Sequence, residues 1–231
     1  MLTLDDVHFD YPRTAGQDRG FALRVSRLAI AAGESVAMTG ASGIGKTTVL
    51  RLAAGILSPS SGTISLAGEP LGPLSETARR RHRLEKVGFV FQDFRLLEHL
   101  DVMQNVLLPF RLGSMSLDRD AERRAGELLE RLGIGSLARR DVRRLSRGEQ
   151  QRTAICRALV TSPAVILADE PTGNLDPANK RNILDALLGA ARERSASVLA
   201  VTHDHDLLDA FDRVVELDAA DGRVDLREGG S

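Results

Sequence analysis

Two short stretches of this chain carry residue types suited to handling phosphate and water. The first, Gly40-Ala41-Ser42-Gly43-Ile44-Gly45-Lys46-Thr47, has the spacing G-x-x-x-x-G-K-[ST]. Glycines so placed let consecutive backbone N–H groups curl around a phosphate chain. Lys46 adds a point charge at the β/γ-phosphates, and the start of a following helix adds positive dipole. The Thr47 hydroxyl is offered to Mg²⁺. The competing reading is a Gly-rich turn that holds nothing. The phosphate reading requires a strand before the loop and a helix after it, and both are expected here. The second stretch, Val165-Ile166-Leu167-Ala168-Asp169-Glu170, sets two acids at the end of a buried strand, where α/β sheets bind ligands. There Asp169 would hold Mg²⁺ through water and Glu170 would polarise an attacking water. Acids after an apolar strand also serve as helix caps. Their pairing with the phosphate loop favours chemistry.

The elements that must position these groups follow from periodicity. Residues 2–4 and 7–9 read as an opening strand, and Phe21, Leu23 and Val25 alternate with polar or small neighbours as a half-exposed one. Gly20 and the polar stretch 13–19 make the turn between them. Short apolar strands are expected at 35–39, 63–66, 87–91, 164–168 and 197–201, and 214–217 and 223–226 flank the hairpin signal Asp221-Gly222. Helices are expected from near Lys46, over 76–84, 146–160 and 177–194, and briefly over 204–211. Residues 102–132 read as mostly helical. In that stretch Ala121, Ala125, Leu128, Leu129 and Leu132 share a face, and Gly133 supplies a stop. Strands alternating with helices imply a parallel sheet with helices on both faces. The helical block over 92–145 interrupts that alternation, so a helical subdomain, about 93–160 with its last helix, is expected as an insertion into a single α/β domain spanning 1–231.

Bulk properties narrow the function classes. The chain has 231 residues, 42% apolar and 27% charged, which suits one sizeable globular domain. A net charge of −1 supplies no global field for nucleic acid, and 3% aromatics without Trp argue against a stacking platform for single strands. The arginines at 79–83 and at 139, 140, 143 and 144 read as solvated helix faces or as contacts to a membrane partner rather than as a nucleic-acid patch. The single Cys156 excludes an intrachain disulfide and reads as a small buried hydrophobe in a helix. Residues 1–10 carry acids and alternate in polarity, unlike a signal or transit peptide. No apolar run approaches the ~20 residues that span a bilayer.

A third motif narrows the phosphate chemistry. In Leu145-Ser146-Arg147-Gly148-Glu149-Gln150, the pair Ser146 and Glu149 fits a capping box that opens a helix. Such a cap leaves helix N–H groups and positive dipole aimed outward. The stretch also resembles Leu-Ser-Gly-Gly-Gln, the signature motif of the ABC ATPases, and departs from it at Arg147 and Glu149. From Tyr11 to His203, the motifs follow that family's order.

The resemblance implies a P-loop NTPase fold of the ABC-ATPase type. Its RecA-like, mostly parallel core carries an N-terminal antiparallel β subdomain and an inserted α-helical subdomain. It implies an ATPase using ATP and Mg²⁺. Gly40, Ala41, Ser42, Gly43, Ile44, Gly45, Lys46, Thr47 and Thr48 would cradle the nucleotide. Tyr11, otherwise a core or surface ring, is similar to the A-loop aromatic that stacks on adenine. Gln92 corresponds to the Q-loop amide, which senses Mg²⁺ and the attacking water and links the site to the membrane partner. Thr47, Gln92 and Asp169 would serve the metal, with Glu170, His203 and Gln92 serving catalysis. His203 matches the H-loop, while His205 reads as surface. Asp176 before Pro177 is a helix N-cap with Pro at N1 and also fits the D-loop, and the two readings are compatible.

In ABC dimers the signature faces the γ-phosphate held by the opposite phosphate loop. Ser146, Gly148 and Glu149 would therefore complete the site of a second copy, head to tail, around two ATP. The other implied partner is a transmembrane permease, with the chain peripheral on the cytoplasmic face of the inner membrane. Ala168-Asp-Glu-Pro-Thr-Gly-Asn-Leu-Asp176 and Gln104-Asn-Val-Leu-Leu-Pro109 are similar to the branch holding lipoprotein-releasing, macrolide-exporter and cell-division ATPases. Export of lipoprotein, lipid or drug, or mechanotransmission, is the expected work. An envelope-signalling ATPase and the ATPase of a small-molecule importer are the alternatives.

Overall fold

The computed structural model describes residues 1–11, 22–220 and 223–228. Strands β1 (Leu2–Asp10), β2 (Ala22–Ile30) and β3 (Ser35–Gly40) precede helix α1 (Lys46–Ala53). β4 (Ser61–Leu66), the two-residue β5 (Glu69–Pro70) and α2 (Glu76–Lys86) lead to β6 (Val87–Phe91). Helices α3 (Val102–Val106), α4 (Leu108–Leu112), α5 (Arg119–Arg131) and α6 (Arg147–Leu159) follow. β7 (Val165–Asp169), α7 (Pro177–Arg192), β8 (Ser197–Val201), β9 (Arg213–Ala220) and β10 (Arg223–Glu228) complete the order.

Among the described residues these strands form one sheet in the order β5-β4-β1-β2-β10-β9-β3-β8-β7-β6. β9, β3, β8, β7 and β6 run parallel. β1 lies antiparallel to both β2 and β4. β10 is antiparallel to β9 and parallel to β2, and so joins the two parts. Period-2 alternation on the parallel strands sends neighbouring residues to opposite faces. Val36, Met38, Val165, Leu167, Leu199 and Val201 pack with α1 and the antiparallel strands. Ala37, Ile166, Ala168, Val198 and Ala200 pack with α3 to α7. The small residues on this second face let α6 approach closely. A Cβ on Gly88 of β6 would overlap the Ala158 carbonyl oxygen of α6.

Local differences from the sequence expectation have local causes. The helical stretch over 102–132 is three helices. Pro109 lies in the first turn of α4, and Pro lacks an N–H and disfavours helical geometry in the preceding residue. Asp118 then caps α5 anew, accepting from the Ala121 N–H. The opening strand is continuous but bulged: Asp6 has φ 45° and the register with β4 shifts between Asp5 and His8. The segment at 204–211 is a 3₁₀ turn, His205–Ala210, and β5 was not expected. Phe21, the turn at 13–20 and Asp221-Gly222 lie outside the described residues. No described helix is long and apolar enough to cross a membrane. Cys156 is fully buried, and burial pushes its thiol pKa up, away from reactivity.

Candidate active site

The phosphate loop leaves the C-terminal end of β3 and enters α1 directly. Gly40 has φ 137°, and a Cβ there would stand 2.6 Å from the Leu217 carbonyl oxygen. Gly45, with φ 117°, occupies the N-cap of α1 and supplies no side-chain hydrogen bond. The first N–H groups of α1 thus have no side-chain cap, the arrangement that receives an anion. Lys46 Nζ folds back to donate to the carbonyls of Gly40 (2.7 Å) and Ala41 (2.9 Å). Burial lowers its pKa, against the opposing charges of Glu170 and Asp169. Thr47 Oγ1 donates to Asp169 Oδ2 at 3.1 Å, joining the start of α1 to the end of β7.

Glu170 follows β7 in left-handed backbone, φ 49°. A non-glycine residue there stores about 1–3 kcal/mol of strain. The turn is fixed by its N–H donating to Val201 O of β8 (3.0 Å) and by Gly173 N–H donating back to its carbonyl (3.0 Å). Oε2 accepts from the His203 backbone N–H at 3.4 Å. Oε1 is shielded and forms no hydrogen bond among the described residues, although His203 Nε2 approaches to 3.2 Å. Burial raises the Glu170 pKa above the usual carboxylate range, with His203 and Lys46 opposing the shift.

Ser42, Gly43, Lys46, Thr47, Gln92, Asp169, Glu170 and His203 line a cleft of about 360 Å³. Gln92 emerges at the end of β6, its carbonyl accepting from Asn174 Nδ2 at 2.6 Å. A Cβ on Gly173 would stand 3.0 Å from Gln92 Nε2, so glycine leaves that amide its room. Tyr11 lies beside the cleft. Its hydroxyl is 3.3 Å from Thr48 Oγ1, and its ring meets Phe9 edge-on at 4.8 Å. Ile44 packs against the core.

Of the expected loop residues Gly40, Ala41 and Ile44 do not line this cleft, and Ser146, Gly148, Glu149 and Asp176 lie outside it. Ser146 and Glu149 form the capping box of α6: Ser146 N–H donates to Glu149 Oε2 (2.7 Å), and Glu149 N–H donates to Ser146 Oγ (3.3 Å). The backbone bond from Ser146 lowers the Glu149 pKa. Arg147, the first residue of α6, is exposed, and a Cβ on Gly148 would meet nothing within 4 Å. Asp176 caps α7, accepting from Asn179 N–H at 3.1 Å and Asn179 Nδ2 at 2.8 Å.

These residues fit a magnesium nucleotide. The uncapped start of α1 and Lys46 suit its phosphates. The adjoining oxygens of Thr47 and Asp169 suit a hard divalent cation, and the orphaned Glu170 Oε1 suits a water.

The profile of the ABC transporter family matches residues 23–173. This chain belongs to the ABC transporter family. It is an ATP-binding and ATP-hydrolysing subunit with the ABC-ATPase fold. It is 44% identical over 186 residues to the lipoprotein-releasing system ATP-binding protein LolD of Hydrogenovibrio crunogenus, covering 80% of each chain. It is 42% identical over 205 residues to LolD 2 of Caulobacter vibrioides, covering 89% of each. A dimeric ATP-binding cassette in a post-hydrolysis state with ADP and Pi superposes at TM-score 0.83, with 31% identity and complete coverage of both chains.

Sequence reasoning passed over two polar residues of this ABC subunit's α6. Gln151 is fully buried, and its Nε2 donates to the Pro171 carbonyl just beyond Glu170. Arg157 is buried against the segment after Gln92. Helical periodicity in α6 is the available signal, because both lie on turns whose neighbours Ala154, Ile155 and Ala158 face the core.

Proposed function

We propose that the chain works as a head-to-tail homodimer that closes around two ATP and drives a transmembrane permease at the cytoplasmic face of the inner membrane. The observation that carries the reading is Glu170, held in strained backbone with a shielded oxygen lacking a hydrogen bond, on the wall of the phosphate-loop cleft. Its carboxylate takes the proton of the attacking water, and its raised pKa makes it a better base. His203 steadies the same carboxylate through its backbone N–H. Lys46 turns from the loop carbonyls to the phosphates, and the Tyr11 ring beside Thr48 is available to the adenine. Thr47, Gln92 and Asp169, the last through water, would hold Mg²⁺, which would supply charge neutralisation at the transferring phosphate. Ser146, Gly148, Glu149 and Asp176 serve the partner copy's nucleotide. The solvent-facing cap of α6 supports this, and the open space beside Gly148 leaves its small size unexplained within one copy. The whole chain forms one ABC ATPase domain, with about 93–160 as its helical insertion.

Similarity to lipoprotein-releasing ATPases supports a lipidated cargo for the permease. A groove of about 260 Å³ lined by Leu84, Phe89, Phe91, Leu108 and Leu112 begins one residue before Gln92, and is the proposed seat of the permease. Two measurements test the reading. ATPase rate per subunit should rise steeply with enzyme concentration until the dimer saturates. The chain should also co-purify with a multi-spanning membrane protein. A rate per subunit independent of dilution refutes the shared site.

A further inference from the structure

The residues just after Gln92 are held by one buried cation. Arg157 of α6 is 9% exposed. Its Nη2 donates to the Phe94 carbonyl at 2.6 Å and its Nη1 to the Arg95 carbonyl. Both acceptors belong to left-handed residues, with φ 60° at Phe94 and 49° at Arg95. Two consecutive non-glycine residues in that region are unfavourable and persist only where the surroundings over-determine them. The turn is otherwise closed by Phe94 N–H donating to Phe91 O (3.1 Å) and Arg95 N–H donating to Asp93 O (2.6 Å). Burial pulls the Arg157 pKa down to about 10, and no carboxylate contributes to the shift. If packing were the only requirement, an apolar side chain would fill this place without burying a charge. A planar guanidinium can meet two diverging carbonyls at once, which an ammonium does less well.

The segment carrying Gln92 is therefore clamped twice. Asn174 takes the Gln92 carbonyl from the side of β7, and Arg157 takes the next turn from α6. α6 is itself tied to the Glu170 loop through Gln151 and Pro171. We propose that Arg157 is a positioning residue for ATP hydrolysis: it fixes the Phe94–Arg95 turn to α6 and so keeps the Gln92 amide presented to the cleft. This rests on the reading that Gln92 acts at the nucleotide.

The test uses the full chain with Arg157→Lys and Arg157→Met, each alone and combined with Gln92→Ala. Turnover, KM for ATP, melting temperature and amide hydrogen exchange over residues 92–96 are read. Arg157→Lys should lower kcat about ten-fold or more, as small misplacements of site groups do, while KM stays within about two-fold. Exchange over 92–96 should rise. In the Gln92→Ala background the same change should lower kcat by less than about two-fold, because two residues acting through one group are not additive. Arg157→Met should exceed Arg157→Lys in every effect, and if it does not fold, Arg157→Lys decides. Equal losses in both backgrounds, or a lowered melting temperature with kcat and exchange unchanged, overturn the proposal. If Gln92→Ala itself keeps full turnover, the role given to Gln92 falls instead, and the exchange data alone decide whether Arg157 holds the turn.

Discussion

Replacing Glu170 by Gln separates the chemistry of this site from its architecture. The amide keeps the volume and can still accept from the His203 N–H, a long contact at 3.4 Å. It cannot take a proton from water. Loss of a positioned general base costs about 10²–10⁴ in rate, or about 3–5 kcal/mol of barrier. The fold loses little. Glu170 is half-buried and its raised pKa shows that burial works against its charged form. A carboxyl whose folded pKa is raised contributes stability below its unfolded pKa and loses it as pH rises, so the neutral amide removes that penalty at neutral pH. The melting temperature should then stay within about 2 °C of wild type, or rise slightly, since 1 kcal/mol moves a domain of this size by about 2–4 °C. Phosphate release at saturating ATP measures turnover, and chromatography with ATP should show the variant accumulating as a closed dimer. The wild-type rate should fall on the acid side at a pH above the usual glutamate range, since protonation at the raised pKa disables the base. Turnover within about three-fold of wild type, with an unchanged acid limb, refutes Glu170 as the base.

Gly88→Ala should destabilise the fold by at least about 1–3 kcal/mol, because the new Cβ overlaps the Ala158 carbonyl and forces β6 and α6 apart; denaturant melts measure it. Ser146→Ala should cost about 0.5–2 kcal/mol through the lost cap of α6, read by thermal melting. If Ser146 also meets a partner's phosphate, that variant loses turnover well beyond its loss of folded protein. Arg147→Gly should change ATPase rate by more than ATP affinity of the open monomer, because Arg147 is exposed at the start of α6 and does not line its own cleft; unchanged turnover in the assembled complex would mark the arginine as a tolerated replacement.

Much of the cradle is readable without coordinates because its parts are contiguous. A phosphate loop needs glycines, a lysine and a threonine within one turn of a strand–helix junction, and Gly40 to Thr47 meets all of these locally. The capping box of α6 and the N-cap at Asp176 are equally local. The break of the 102–132 stretch into three helices is partly local, since Pro109 marks it, but an amphipathic pattern running through the proline obscures it. β5 is only two residues long and pairs with the end of β4, so nothing in its composition announces it.

Which residues can hold phosphate, the strand–helix alternation and the order of the motifs are all legible along the chain, since they depend on backbone freedom, side-chain type and spacing. It takes the packed fold to bring Thr47 to Asp169, 122 residues away, and to hold the Gln92 carbonyl on Asn174. The same packing leaves Glu170 Oε1 shielded beside His203, and sets a buried arginine on α6 to grip the turn after Gln92. Those outcomes depend on which strand lies beside which and on how closely a helix approaches a sheet. Neither is encoded in any single window of the chain, because burial and proximity between distant residues arise only when the parallel strands align.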